Sequence, residues 1–267
     1  LQASEGYISS VGTFQGQRQV STKTMNSNNT ESNRTWIAGY RAINMANIVL
    51  SKLDIVTDEG KKDQLEGEAL FVRGILHFEL VRYYGLPYGA VVGNTQPGVV
   101  IKTTATLSEE EGFERLPRNT VAQVYTQVVT DLTAAANLLP DDNGNRADRY
   151  TAMAFLARVY LQMGNYALAR DMADNVINGT DDAGLKYAMG TSLKTPFTNR
   201  NTKETIWEIQ QNEQNNAGNS NDGLATFYAS LQGIGRADVR VQTAFLCLYP
   251  AGGRRLTKWY YLMTASD

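Results

Sequence analysis

The sequence predicts a mainly α protein of tetratricopeptide-like stacked helical hairpins, with long irregular loops and minor β structure. Apolar residues recur at steps of three and four in five segments between Trp36 and Asn178. Two of these segments stop at Pro or Gly-x-Pro signals, Gly85-Leu-Pro87 and Pro140. The last two are joined by the tight turn Met163-Gly164-Asn165-Tyr166, with small residues at close-contact positions on either side. Helix, Gly-Asn-Tyr turn and helix in that order is the form of a tetratricopeptide unit.

Residues 1–34 are polar and carry the cluster Asn26-Ser27-Asn28-Asn29-Thr30, so an extended arm or loops is expected there. A first helix is expected from Trp36, with Trp36, Tyr40, Ile43, Asn47 and Leu50 on one face, running to about Leu53. A second carries Leu65, Ala69, Val72, Leu76, Leu80 and Tyr83. Gly85 is expected to end it in a left-handed exit, and Pro87 cannot continue it. The short polar link between the two makes them an antiparallel hairpin.

Residues 86–118 have no period and form a long loop. Thr120-Val-Ala-Gln123 then has the form of a capping box. The helix it opens aligns Val121, Val124, Val128, Leu132, Ala135 and Leu139. A helix over about 147–163 is rich in alanine, with Ala152, Ala154 and Ala157 suited to a close helix crossing. The last aligns Tyr166, Ala169, Ala173 and Val176. Ala69-Leu-Phe-Val-Arg73 and Ala154-Phe-Leu-Ala-Arg158 form a faint internal echo. Beyond residue 179 the periodicity fades. Glu204-Thr-Ile-Trp-Glu-Ile-Gln210 alternates and predicts a short strand.

Charge and motifs narrow the function. With 25 basic against 27 acidic residues, the chain has no basic excess to hold nucleic acid and no cationic run for anionic lipid. No stretch approaches the ~20 apolar residues of a membrane span. One cysteine, Cys247, and one histidine, His77, leave no disulfide and no Cys- or His-based metal site within the chain. Both are expected to be structural, Cys247 as a buried thiol. There is no Gly-x-Ser-x-Gly, no Walker loop and no Gly-x-Gly-x-x-Gly after a strand. Neither an enzyme nor a cofactor is therefore expected.

The aromatic residues point instead to binding. Trp36, Tyr40, Tyr83, Tyr125, Tyr160 and Tyr166 fall on helical stripes and are expected in the core, and Trp207 is expected to pack. Tyr88, Tyr228, Tyr249, Trp259 and Tyr260 lie off any stripe. Flat rings in loops stack on sugar rings or peptide side chains, with neighbouring Asn, Gln and Arg supplying hydrogen bonds. These five are the candidate ligand-binding residues. A tetratricopeptide-type scaffold for a partner protein, gripping it in the helical groove, is the alternative.

The helical segments resemble the amino-terminal half of the SusD/RagB family. The resemblance rests on Trp36-x-x-x-Tyr40-x-x-Ile43-x-x-x-Asn47, on Gly67-Glu-Ala-Leu-Phe-Val-Arg73 and on His77-Phe-Glu-Leu-Val-Arg-Tyr-Tyr-Gly85-Leu-Pro87. It continues through Leu116-Pro-Arg118-Asn-Thr120, Leu138-Leu-Pro140 and Arg149-Tyr-Thr-Ala152 to Gly164-Asn-Tyr166. It implies one SusD-like domain over residues 1–267, with 36–178 as scaffold and 179–267 irregular and incomplete relative to the family. It also implies a lipid-anchored outer-membrane protein at the cell surface, whose lipid-bearing cysteine lies outside this sequence. Such a protein captures an oligosaccharide or peptide and delivers it to a SusC-like TonB-dependent transporter. The matched motifs are scaffold and carry no binding residue across.

Overall fold

A computed structural model describes residues 8–181, 184–192, 195–212, 214, 227–228 and 235–250. Its first elements are strand β1 (Ile8–Ser10) and helices α1 (Gln15–Ser21), α2 (Thr30–Leu50), α3 (Glu59–Tyr84) and α4 (Glu109–Gly112). Helices α5 (Val121–Leu138), α6 (Arg149–Gln162) and α7 (Tyr166–Ile177) follow. Strands β2 (Thr180–Asp181) and β3 (Gly184–Leu185), helix α8 (Thr195–Thr198), strand β4 (Val239–Val241) and helix α9 (Thr243–Leu246) come next among the described residues. The protein is mainly α, as its periodicity predicts. It divides into two compact units, residues 36–210 and residues 1–35 with 211–267.

The larger unit is a stack of antiparallel helices. Trp36 meets Tyr84 with ring centroids 4.9 Å apart, and Asn47 accepts a hydrogen bond from Arg73 at 3.0 Å, so α2 and α3 run in opposite directions. Phe78 meets Tyr125 at 5.9 Å and Arg73 meets Asp131, which sets α5 antiparallel to α3. Helix α6 packs on α5, and α7 on α6. The core runs through them from Ile43 and Phe71 to Leu132, Leu156 and Val159.

Local chemistry explains each boundary. The Asp58 carboxylate accepts the Lys61 N–H at 2.7 Å and starts α3. Thr120 and Gln123 form the predicted capping box, Gln123 N–H to Thr120 Oγ1 at 3.2 Å and Thr120 N–H to Gln123 Oε1 at 2.9 Å. Asp148 caps α6 by accepting both the Thr151 N–H at 2.7 Å and the Thr151 hydroxyl at 2.8 Å. Gly164, at φ 74°, turns the chain so that Asn165 N–H reaches the Tyr160 carbonyl at 2.9 Å. Asn165 then caps α7 through the Leu168 N–H.

The long loop is not loose where it crosses α2. Tyr40 donates its hydroxyl to the Val100 carbonyl at 2.7 Å. Asn44 pairs with Thr106 in both directions, at 3.1 and 2.7 Å, and Asn47 donates to the carbonyls of Lys102 and Thr104. One face of a helix thus satisfies the backbone of a segment that has no sheet partner of its own.

Five expectations are corrected. The arm over residues 1–34 contains α1 and the first turn of α2. The Asn-rich cluster hides a cap, since Asn29 Oδ1 accepts the Ser32 N–H at 2.9 Å. Gly85 leaves α3 extended (φ −107°, ψ 163°) rather than left-handed; what it avoids is a Cβ only 2.9 Å from the Val81 carbonyl. Tyr83 and Tyr166 are 53% and 71% exposed, because the core takes Phe78 and Val81 on α3 and Ala169 and Val176 on α7. Glu204–Gln210 forms no strand; its Trp207 packs singly, 5.4 Å from the Phe71 ring. Cys247 is exposed, following a helix too short to cover it.

In the smaller unit β1 pairs antiparallel with β4, Ile8 opposite Val241 and Ser10 opposite Val239. The Arg236 guanidinium sits 4.6 Å over the Phe14 ring and donates to Asp238 at 2.7 Å.

Candidate functional site

The larger unit carries an open cleft of about 250 Å³ between the turn that precedes α6 and the segment from Lys186 to Glu208. One wall is Gly144–Asp148. Tyr187 and Trp207 supply the aromatic surface, and Arg146, Lys203 and Glu208 supply charge. Each wall is fixed by the fold. Gly144, at φ 61°, makes the turn, and Asn143 secures it by donating to Glu68 at 2.9 Å and to the Ala147 carbonyl at 2.8 Å. On the far side Lys203 donates to the Leu185 carbonyl at 2.9 Å, and the Asn201 N–H to Glu208 Oε1 at 3.1 Å.

At the base lies a spent carboxylate. Asp148 uses one oxygen as the cap of α6 and the other to accept from Lys186 at 2.7 Å and from the Tyr187 hydroxyl at 3.3 Å. Burial, with Asp148 beside it, pushes the Tyr187 hydroxyl well above the usual phenol range, so it stays a donor. Lys186 also lies 5.4 Å from the Tyr150 ring and 5.8 Å from the Tyr187 ring. These groups hold one another in place.

A second titratable cluster, reaching Asn47 on α2, is buried in the helical stack. Arg73 forks onto Asp131 at 2.8 and 2.6 Å, and Gln127 donates to the same carboxylate. His77 is fully buried; its Nδ1 bonds the Arg73 carbonyl at 3.0 Å and its Nε2 accepts the Lys102 N–H at 3.3 Å. Burial lowers its pKa to about 4, so it is neutral. It is a structural histidine. Among the described residues no group of His, Cys, Asp and Glu could hold a metal ion, and no helix is long and apolar enough to cross a membrane.

The five candidate aromatics fare differently. Tyr88 is half-buried, its ring 4.8 Å from Tyr125 and packed against the core. Tyr228 is 42% exposed, in the smaller unit. Tyr249, in that unit too, lies 5.4 Å from Phe245. Trp259 and Tyr260 lie outside the described residues. Nothing in the sequence marks the cleft except Trp207, whose expected role is packing alone. Its walls lie between 38 and 64 positions apart, outside the helical stripes, with no periodic signal.

Residues 6–161 match the SusD-like family described as starch-binding and associating with the outer membrane. The chain belongs to the SusD-like family. SusD-like protein P2 of Formosa agariphila is 30% identical over 175 residues, which cover 64% of this chain and 32% of that protein. A solved structure from Bacteroides vulgatus ATCC 8482 is similar at a TM-score of 0.79 and 26% identity, covering 93% of this chain and 56% of its own. A laminarin-binding SusD-like protein is similar at a TM-score of 0.55 and 27% identity, covering 69% of this chain and 38% of its own. The chain therefore spans about a third of the curated SusD-like relative and roughly half of the first structural neighbour. Within the larger unit the SusD-like match takes in α3, α4, α5 and all but the last residue of α6, helices of the frame on which the cleft is mounted.

Proposed function

We propose that this chain is part of a non-enzymatic cell-surface protein that captures glycans and delivers them to a SusC-like TonB-dependent transporter. In that role it is held at the outer membrane by a lipid anchor. The observation that carries the reading is the match of residues 6–161 to a family described as starch-binding and associating with the outer membrane. Similarity to a laminarin-binding SusD-like protein supports a glycan over a peptide. The off-stripe rings Tyr88, Tyr228, Tyr249, Trp259 and Tyr260 are proposed to contribute stacking surface. Each ~40 Å² of ring face buried contributes roughly 1 kcal/mol, so a few rings give weak, reversible capture suited to hand-over.

Isothermal titration of the chain against starch- and laminarin-derived oligosaccharides and a peptide pool tests this. The expected result is saturable glycan binding, with sugars recovered uncleaved and with Trp259→Ala or Tyr260→Ala weakening it. Binding of peptides alone, or release of shortened sugars, would refute the reading.

A further inference from the structure

We infer that the cleft between Gly144–Asp148 and Lys186–Glu208 is a subsite for one uncharged sugar ring of a longer glycan; this rests on the glycan-binding reading above. Size comes first. At about 250 Å³ the cleft falls just below the ~300 Å³ at which ordinary small-molecule pockets begin. It is open to solvent along the surface, so it has room for one ring while the rest of a chain continues outside.

Charge selects the kind of ring. The cleft is lined by three cations, Arg146, Lys186 and Lys203, and three carboxylates, Asp148, Asp181 and Glu208. Two of the cations are already answered: Lys186 lies 2.7 Å from Asp148, and Arg146 lies 2.8 Å from Glu68. No net positive field is left to attract a uronate or a sulfate ester. A neutral sugar gives up little by entering such a balanced site.

The remaining groups are those a polyol uses. Tyr187 and Trp207 offer ring surface for the C–H face of a pyranose. The indole N–H of Trp207 has no hydrogen-bond partner among the described residues, although the ring is anchored against Phe71 and Phe155. Glu208 spends Oε1 on the Asn201 N–H and the Gln210 amide, which leaves its second oxygen as an acceptor. Arg146 keeps further N–H donors beyond the one given to Glu68. Donors and acceptors beside an aromatic wall match the alternating hydroxyls and C–H face of a sugar.

The test is a ¹H–¹⁵N titration of the chain with maltoheptaose, a laminarin oligosaccharide and an oligouronate, at low and high salt. Comparison with Trp207→Phe assigns the Trp207 indole signal. That signal is expected to shift saturably with a neutral oligosaccharide and to be indifferent to salt. Arg146→Ala, an exposed position whose loss leaves the core untouched, and Tyr187→Ala are expected to weaken binding about tenfold each. If neutral sugar binds but the indole signal stays still and both variants bind as the parent does, the subsite is refuted and the general glycan reading stands. Tighter, salt-sensitive binding of the oligouronate refutes the neutral class. Absence of binding to every sugar refutes the subsite and the proposed function together.

Discussion

Arg73 is a charge removed from water, and everything around it is arranged to answer that. Its fork faces Asp131, its remaining amino group reaches Asn47 and the Thr103 carbonyl, and its own carbonyl accepts from His77. Removing one partner of such a pair costs about 3–5 kcal/mol, because the survivor stays buried and uncompensated. His77 extends the same network and makes it sensitive to acid. Its folded pKa of about 4 lies below the 6.5 of a free imidazole, chiefly through burial, with the Asp131 charge and the hydrogen bond to the Arg73 carbonyl opposing the shift and the Arg73 charge adding to it. The unfolded chain therefore binds more protons between those two values. Stability is fully present above pH 6.5 and is lost as pH falls toward 4, by an amount on the order of 3 kcal/mol. Urea midpoints measured from pH 7.5 to 4.5 should show this decline, and His77→Leu should lack that part of it. An identical slope in both proteins would remove His77 as the cause.

Among elements, the contact of α3 with α5 sets how close the stack can be. Gly67 and Gly74 lie where the two helices meet. A Cβ at Gly67 would stand 2.8 Å from Leu139 Cγ and 3.2 Å from Leu138 Cβ. In an exposed helix Gly→Ala stabilises by roughly 0.5–1 kcal/mol. Here Gly67→Ala is expected to destabilise by about 1–3 kcal/mol, since the added methyl must push two helices apart. A rise in the denaturation midpoint would show that the crossing has slack. Helix α5 was fully legible in the sequence, cap and stripe alike, because it buries one face: Val121, Val124, Val128, Leu132, Ala135 and Leu139 are all at or below 1% exposure. Helix α3 was legible in extent but not in orientation. It buries Phe71, Arg73, Gly74, His77, Phe78 and Val81 on several sides, so no single stripe marks its core face. The echoed motifs make the same point. Arg73 is buried against Asp131, whereas Arg158 lies on the surface beside Glu79. Identical letters in matching frames take opposite environments once a neighbour is present on one side only.

For the whole molecule, residues 36–210 hold the helical core and the cleft in one compact unit. A fragment spanning residues 28–212, which keeps α2 and its Asn29 cap, is expected to retain helical circular dichroism and one cooperative thermal transition. A broad, non-cooperative melt would show that this unit does not stand alone. At this scale the sequence was legible as frame and illegible as site. Helical periods reveal which faces meet, but the cleft depends on where irregular stretches, 144–148, 186–187 and 201–208, are brought by the helices between them. One further consequence follows from the way α2 holds residues 100–106. Tyr40, Asn44 and Asn47 grip peptide groups and ignore what the side chains are. The outward-facing Thr103 and Thr104 can then be rewritten, or used to display a foreign epitope or a fluorescent tag, without altering the path of the chain. The helix acts as a generic clasp, and the segment it fastens is a natural graft point.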